Sequence, residues 1–195
     1  MIRMSQESKK PKVFITGHTR GIGKAIYDLF SSEGYMCHGV SKSTGFDLEK
    51  DLELIVDHLA NFEYIVLNAY YKDSQLRMLQ EIIRRYQDEN KQVAVITSTS
   101  GTRAGMDSSL KEQEYNWYCK NKKQLIEFIE NAQQDLYEKP IQIYDICPDT
   151  VKTDMSEGLW EEYPKLEVSE VADCVHMCFT KQYNINKIVL QKYAR

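Results

Sequence analysis

Tyr118 and Lys122 stand four residues apart at the start of a stretch whose apolar residues, Leu125, Phe128, Ile129, Ala132 and Leu136, mark one long amphipathic helix. Residues four apart share a helix face, so the spacing sets an ammonium near a phenol. An unperturbed phenol has a pKa of ~10, and a neighbouring positive charge favours its ionised form, which suits acid–base work near neutrality. Alone the pair says little, because Tyr-x-x-x-Lys also occurs on solvated helices. A second cluster, Gly17-His-Thr-Arg-Gly-Ile-Gly23, has the residue types that hold an anion. Gly17 lets the chain turn sharply, Gly21 lets backbone approach a pyrophosphate, and Gly23 lets a helix pack on its strand with the amide-rich N-terminus facing the anion. The cluster reads as a dinucleotide site or as a plain glycine-rich turn, and the elements on its two sides favour the first.

Those elements follow from the apolar pattern. Residues 12–16 read as a strand, and Ile22, Ala25, Ile26, Leu29 and Phe30 mark one helix face, with Gly34 as a left-handed terminator. Residues 36–41 read as a second strand with Ser41-Lys42-Ser43 at its end, where a dinucleotide fold places the adenosine ribose. An acid there would bind a 2′-hydroxyl, and a base would neutralise a 2′-phosphate. The chain offers Lys42, with Arg20 in reach from the glycine turn, so NADP(H) is expected to be preferred, with NAD(H) the other cofactor the motif can hold. Residues 45–48 are expected to form a very short third strand, with Asp47 and Leu48 under the adenine. A helix with Leu52, Ile55, Val56 and Leu59 follows, then a strand over 63–68 ending in Asn68-Ala69-Tyr70-Tyr71. Next come a helix with Leu76, Leu79, Ile82, Ile83 and Tyr86 and a strand over 92–98, then a polar loop from Gly101 to about Gln113. Continuous apolar runs such as Val93-Ala-Val-Ile96 suit parallel strands covered on both faces. Ligands of such sheets bind outside the carboxyl ends of the strands, where Thr16, Lys42, Asn68 and Ser98 fall.

Composition fits this outline. A chain of 195 residues with 42% hydrophobic residues can bury one sizeable core, and neither a repeat nor a Pro/Gly-rich linker suggests a second. Residues 1–11 are expected to be a polar tail and 12–195 one domain. No apolar run has the length of a membrane span, and the start of the chain lacks a signal-peptide core, so no membrane association and a cytoplasmic location are expected. A net charge of -4 argues against nucleic acid as a partner, despite the basic Lys9, Lys10 and Lys12. Five cysteines without a CxxC pair fit a reducing compartment. Cys174 and Cys178 can share a helix face that His176 cannot join, so core packing rather than a metal site is expected there.

Thr16-Gly-x-x-x-Gly-Ile-Gly23, Asn68-Ala69, Ser98, Tyr118-x-x-x-Lys122 and Pro148-Asp-Thr-Val-Lys-Thr153 follow one another in the order seen in the short-chain dehydrogenase/reductase family, which the chain resembles from about residue 12 to residue 190. The resemblance implies a single-domain α/β fold, a Rossmann-type doubly wound parallel sheet with helices on both faces. It implies a cofactor pocket built from Gly17, Thr19, Arg20, Gly21, Ile22, Gly23, Ser41, Lys42, Asp47, Leu48, Asn68 and Ala69, with Pro148, Val151 and Thr153 on the nicotinamide side after a sixth strand over 141–147. Tyr118 would donate a proton to the developing alkoxide and Ser98 would hydrogen-bond the same oxygen. Lys122 would lower the phenol pKa and hold the nicotinamide ribose. The implied partners are a small carbonyl compound or its alcohol and further copies of the chain, as a homodimer or homotetramer. The assembly is expected through the helices bearing Met78 and Trp117.

The departures are specific. Where the family has Asn-Ala-Gly and Pro-Gly the chain has Asn68-Ala69-Tyr70 and Pro148-Asp149, so both loops carry bulk. The relay asparagine that the family often places on the helix before the serine strand is absent between Leu76 and Tyr86. Residues 157–165, with Leu159, Trp160 and Tyr163, are either a small substrate lid or a packed surface loop. An alternative is therefore a nucleotide-binding protein with little or no turnover, a sensor or scaffold.

Overall fold

The computed structural model describes residues 10–103, 111–158 and 161–192. The polar tail up to residue 9, most of the loop after Gly101, and Leu159 and Trp160 of the lid segment lie outside the described residues. Strands and helices alternate as β1 (Lys12–Thr16), α1 (Gly21–Ser32), β2 (Met36–Val40), α2 (Leu52–His58), β3 (Tyr64–Leu67), α3 (Ser74–Tyr86), β4 (Gln92–Ile96), α4 (Lys111–Asp135), β5 (Gln142–Pro148), α5 (Val168–Thr180) and β6 (Lys187–Leu190). The strands form one sheet in the order β2-β1-β3-β4-β5-β6, every pair parallel. From β1 the chain steps outward to β2 and then back to β3 on the other side, so the order reverses between β1 and β3. The crevice of a doubly wound sheet opens at that reversal.

Parallel pairing buries both faces of the sheet, and alternate residues of each strand feed two cores. Phe14, Ile65, Leu67, Val93, Val95 and Ile143 face α2, α3 and α4. Val13, Ile15, Val66, Ala94, Ile96 and Ile146 face α1 and α5. Gly34, at φ 85°, ends the turn after α1 in the left-handed region that glycine tolerates best.

The short strand expected over 45–48 does not form. Lys42–Thr44 is a 3₁₀ turn, and Asp47 accepts hydrogen bonds from the Glu49 and Lys50 amides at 2.9 and 3.4 Å while its own amide donates to Asp51 at 2.8 Å. These local bonds satisfy the backbone without a ladder and lead into α2. The strand over 141–147 is thus the fifth, and β6, which the apolar pattern had not marked, closes the sheet. Met78 is 2% exposed and belongs to the molecule's own core, which removes it from the assembly argument; Trp117, at 60%, stays outside with Lys120 Nζ over its ring at 5.3 Å. On α5, His176 packs edge-on against Phe30 at 5.4 Å, and Cys178 is buried among apolar residues. No described helix is long and apolar enough to cross a membrane.

Candidate active site

The glycine turn sits at the carboxyl end of β1 and is fastened on three sides. Gly17 donates to the Val40 carbonyl at 2.7 Å, tying the turn to the end of β2. Asn68, at the end of β3, donates through Nδ2 to the carbonyls of Thr16 and Gly17 at 3.1 and 3.2 Å. The Thr16 hydroxyl accepts from the amides of Asn68 and Ala69 at 2.9 and 3.0 Å. A Cβ added at Gly23 would lie 2.1 Å from the Gly17 carbonyl oxygen, so this position admits glycine only. Gly17 and Gly21 have φ of 72° and 54°, and neither leaves a side chain over the first turn of α1, where Ile22 lies. A cradle of this shape at a helix N-terminus fits the pyrophosphate of a dinucleotide.

The side of the cradle toward β2 is assembled from two turns. Ser43 donates to Thr19 at 3.1 Å and shares a hydrogen bond with Ser41 at 2.8 Å, which docks the Lys42 turn beside the glycine turn. Lys42 is exposed. Arg20 is exposed too but is paired with Asp154, 3.2 Å away. Leu48 packs on the core beside α2, and the Asp47 carboxylate is engaged by its own turn. That engagement, with the Glu49 amide first, holds Asp47 below its ordinary pKa.

Beyond β5, Val151 bridges to Leu166, and Thr153 lies over Gly21, where an added Cβ would come within 3.3 Å of its methyl group. Asp149, following Pro148, accepts from the Thr99 hydroxyl and the Thr150 amide, both at 3.0 Å. The bulk introduced by Asp149 therefore ties the end of β5 to the end of β4. In the lid segment Tyr163 is 62% exposed and Lys165 donates to the Ser156 carbonyl at 2.9 Å.

Ser98, Tyr118 and Lys122 come together at the carboxyl end of β4. Ser98 is buried, and α4 brings the Tyr118 phenol near it. Burial pushes the Tyr118 phenol up to about 12, with the nearby Ser98 hydroxyl acting against that rise. This corrects the expectation that Lys122 would lower it. Lys122 is 3% exposed and its ammonium turns inward, donating to Gln75 Oε1 at 2.7 Å and to the Ile96 carbonyl at 2.8 Å. Burial pushes its pKa down to about 7, opposed by the nearby Asp145 and Cys147. Tyr70 completes the group. Its ring meets that of Tyr118 edge-on at 4.8 Å, stands 5.5 Å from Lys122 Nζ, and its hydroxyl accepts from Asn121 at 3.2 Å.

Gln75 was missed in the sequence, although a signal was present. It lies three and four residues before Met78 and Leu79, a polar residue on the apolar stripe of α3. A polar side chain on a buried stripe needs a partner, and here the partner is the site lysine.

No family model matches the sequence, and no curated protein matches it. Solved structures match the fold over nearly the whole chain. A short-chain dehydrogenase/reductase from Vibrio parahaemolyticus is 19% identical, with a TM-score of 0.73 over 93% of this chain and 100% of its own. A short-chain dehydrogenase from Burkholderia cenocepacia, solved in complex with NADP, is 13% identical, with a TM-score of 0.76 over 94% of this chain and 89% of its own. One from Sphingobium yanoikuyae, in complex with NADPH, gives 16% identity and a TM-score of 0.66 over 91% and 87%. The chain has the fold of the short-chain dehydrogenases/reductases, a single Rossmann-like α/β domain.

Proposed function

We propose that the protein is an NADP(H)-dependent oxidoreductase that interconverts a small carbonyl compound and its alcohol, with Ser98, Tyr118 and Lys122 carrying the proton chemistry. The observation that carries this reading is the placement of the buried Ser98 at the end of β4 beside Tyr118 and Lys122 of α4, at the same ends of the strands as the glycine cradle. Structural neighbours solved with NADP or NADPH support the choice of cofactor, as do Arg20 and Lys42 beside the ribose end. Gly17, Gly21, Ile22 and Gly23 would face the pyrophosphate, while Ser41, Asn68 and Ala69 shape the adenosine side. Pro148, Val151 and Thr153 would border the nicotinamide.

When bound, the cofactor supplies the hydride. Tyr118, kept neutral by its burial, is suited to donate a proton to the oxygen that gains charge, with Ser98 as the second donor to that oxygen. The test is NADPH oxidation over a panel of small aldehydes and ketones. Tyr118→Phe should lower turnover by about a hundredfold or more while leaving NADPH affinity near its original value. Tyr115→Phe, which loses a 3.2 Å hydrogen bond to Ser100, should remain active.

One observation favours a second reading, a nucleotide-binding protein with little turnover: the Lys122 ammonium is bound inward, behind Tyr70 and Tyr118. Equal turnover in wild type and Tyr118→Phe would decide for it. We also infer a cytoplasmic homodimer or homotetramer, for which the exposed Trp117 on α4 remains the support. A monomer mass in light scattering at micromolar concentration would exclude that assembly.

A further inference from the structure

Beyond the carboxyl end of the sheet the backbone joins three segments. The Asp149 amide donates to the Leu190 carbonyl at the end of β6 at 2.8 Å. The Leu166 amide donates to the Thr150 carbonyl at 2.9 Å, and the Lys152 amide donates back to the Leu166 carbonyl at 2.8 Å. The stretch after β5 is thus tied both to the end of β6 and to the residues that lead into α5. Each of the three segments carries a lysine. Lys152, Lys165 and Lys192 line one open cleft of about 330 Å³, together with Glu161, Tyr163 and Pro164. That volume is of the size that takes a small organic molecule.

The charge in the cleft is unbalanced, since its lining holds three ammonium groups and one carboxylate. Lys165 is firmly placed: its side chain is 10% exposed, and its ammonium donates to the Ser156 carbonyl and to Glu161, both at 2.9 Å. An ammonium carries three donors, so these two bonds leave Lys165 a third. Lys152 pairs with Glu167, and Lys192 with Glu170 at 3.0 Å, two half-exposed carboxylates that stand outside the lining. Exposed pairs of this kind hold weakly, so a stronger anion can displace the carboxylates. The exposed Tyr163 ring and Pro164 add apolar surface beside the charges.

The cleft is separate from the nucleotide cradle. Thr153 lies over Gly21, whereas its neighbour Lys152 reaches Glu167 ahead of α5. No residue of the glycine turn, and none of Ser98, Tyr118 and Lys122, lines the cleft.

We propose that this cleft is a second binding site, for a phosphate monoester whose phosphate is held by Lys152, Lys165 and Lys192 and whose organic part rests on Tyr163 and Pro164. Lysine binds phosphate as a compact point charge, and three ammonium groups match three terminal oxygens better than the two of a carboxylate. The bound group would link the end of β6 and residues 161–165 to the stretch that carries Val151 and Thr153. The site stands whether or not the protein turns over a carbonyl compound.

Calorimetry on the full chain at low ionic strength, where such contacts are least screened, tests the site with inorganic phosphate, phenyl phosphate and benzoate as probes. Phenyl phosphate should bind severalfold tighter than inorganic phosphate, and benzoate weakest. Lys152→Met and Lys192→Met should each weaken phenyl phosphate about tenfold, and Lys165→Met by more. Glu161→Gln should tighten it severalfold by removing the competing carboxylate, and Tyr163→Ala should reduce it to the affinity of inorganic phosphate. Where Lys165→Met does not fold, the more exposed Lys152 and Lys192 carry the test. No binding of phenyl phosphate at millimolar concentration, binding unchanged by these lysine substitutions, or benzoate bound as tightly would each overturn the proposal. A loss in Lys42→Gln with none in Lys192→Met would place the phosphate at the nucleotide turn and overturn it too. Intact binding with no turnover on any carbonyl compound upholds the site and counts against the hydride-transfer reading alone.

Discussion

Arg20 in the glycine turn and Asp154 in the loop after β5 face each other at 3.2 Å at the carboxyl end of the sheet, with their side chains 79% and 73% exposed. A cation read from the sequence as a partner for a 2′-phosphate thus already has an anion beside it. An exposed pair of this kind contributes at most about 1 kcal/mol, so a phosphate can displace Asp154 at small cost. Asp154→Asn should accordingly tighten NADPH binding about two- to fivefold and leave NADH binding nearly unchanged. Lys42→Asp should do the reverse, weakening NADPH about tenfold and favouring NADH. Fluorescence titration of both cofactors checks the pair, and tighter binding of NADH than NADPH by wild type would remove the assignment.

The strand-and-glycine plan was legible because it depends on local rules. β1, the helix after Gly21, the buried β3 and β4, and the long α4 are all marked by apolar period and glycine position. The 45–48 segment was misread because Asp47 and Asp51 replace a strand ladder with side-chain bonds that a period-2 pattern does not reveal. The direction of the lysine was also hidden. Sharing a helix face put Lys122 near Tyr118, and its nitrogen is indeed 5.6 Å from that ring centroid. Yet the ammonium's partners, Gln75 and the Ile96 carbonyl, come from elements 47 and 26 residues away in sequence. Burial, a tertiary property, then set the phenol pKa against the trend expected from the charge alone.

Gly23 gives the sharpest test of the cradle. A methyl group there would overlap the Gly17 carbonyl at 2.1 Å and Asn68 Nδ2 at 2.5 Å, two atoms already bonded to each other. Gly23→Ala must push the turn away from β3, with a cost of about 1–3 kcal/mol or more. Chemical denaturation should show that loss, and NADPH binding should fall at least tenfold. Gly34→Ala is the control: its added carbon meets nothing within 4 Å, so only the cost of its positive φ remains and nucleotide binding should persist.

Lys122 also makes stability depend on pH. Its folded-state pKa of about 7 lies below the ordinary 10.5, so between those values the unfolded chain binds the extra proton. Stability should therefore rise with pH across that window, by up to about 1.4 kcal/mol per unit from this group. Lys122→Met should flatten the rise between pH 7 and 9, whatever it does to stability at one pH. Urea unfolding of both proteins at several pH values reads this directly, and parallel curves would refute the buried charge.

Tyr70 lies over the Tyr118–Lys122 pair. In the family that the chain resembles, glycine stands at this position, whereas here a phenol ring covers both Tyr118 and Lys122. It is also anchored, since Asn121 donates to its hydroxyl at 3.2 Å. If catalysis requires Lys122 to reach a bound ribose, Tyr70 is a barrier that must swing aside, and the part of the cofactor's binding energy used to move it is lost from turnover. Tyr70→Gly removes the barrier along with its edge-to-face contact. It should lower stability by about 2 kcal/mol. It should also raise kcat/KM for NADPH-dependent reduction severalfold, with NADPH bound at least as tightly. Steady-state kinetics together with a cofactor titration separate the outcomes. Weaker NADPH binding with unchanged kcat would instead make Tyr70 a wall of the pocket, and the covered lysine its resting and working position alike.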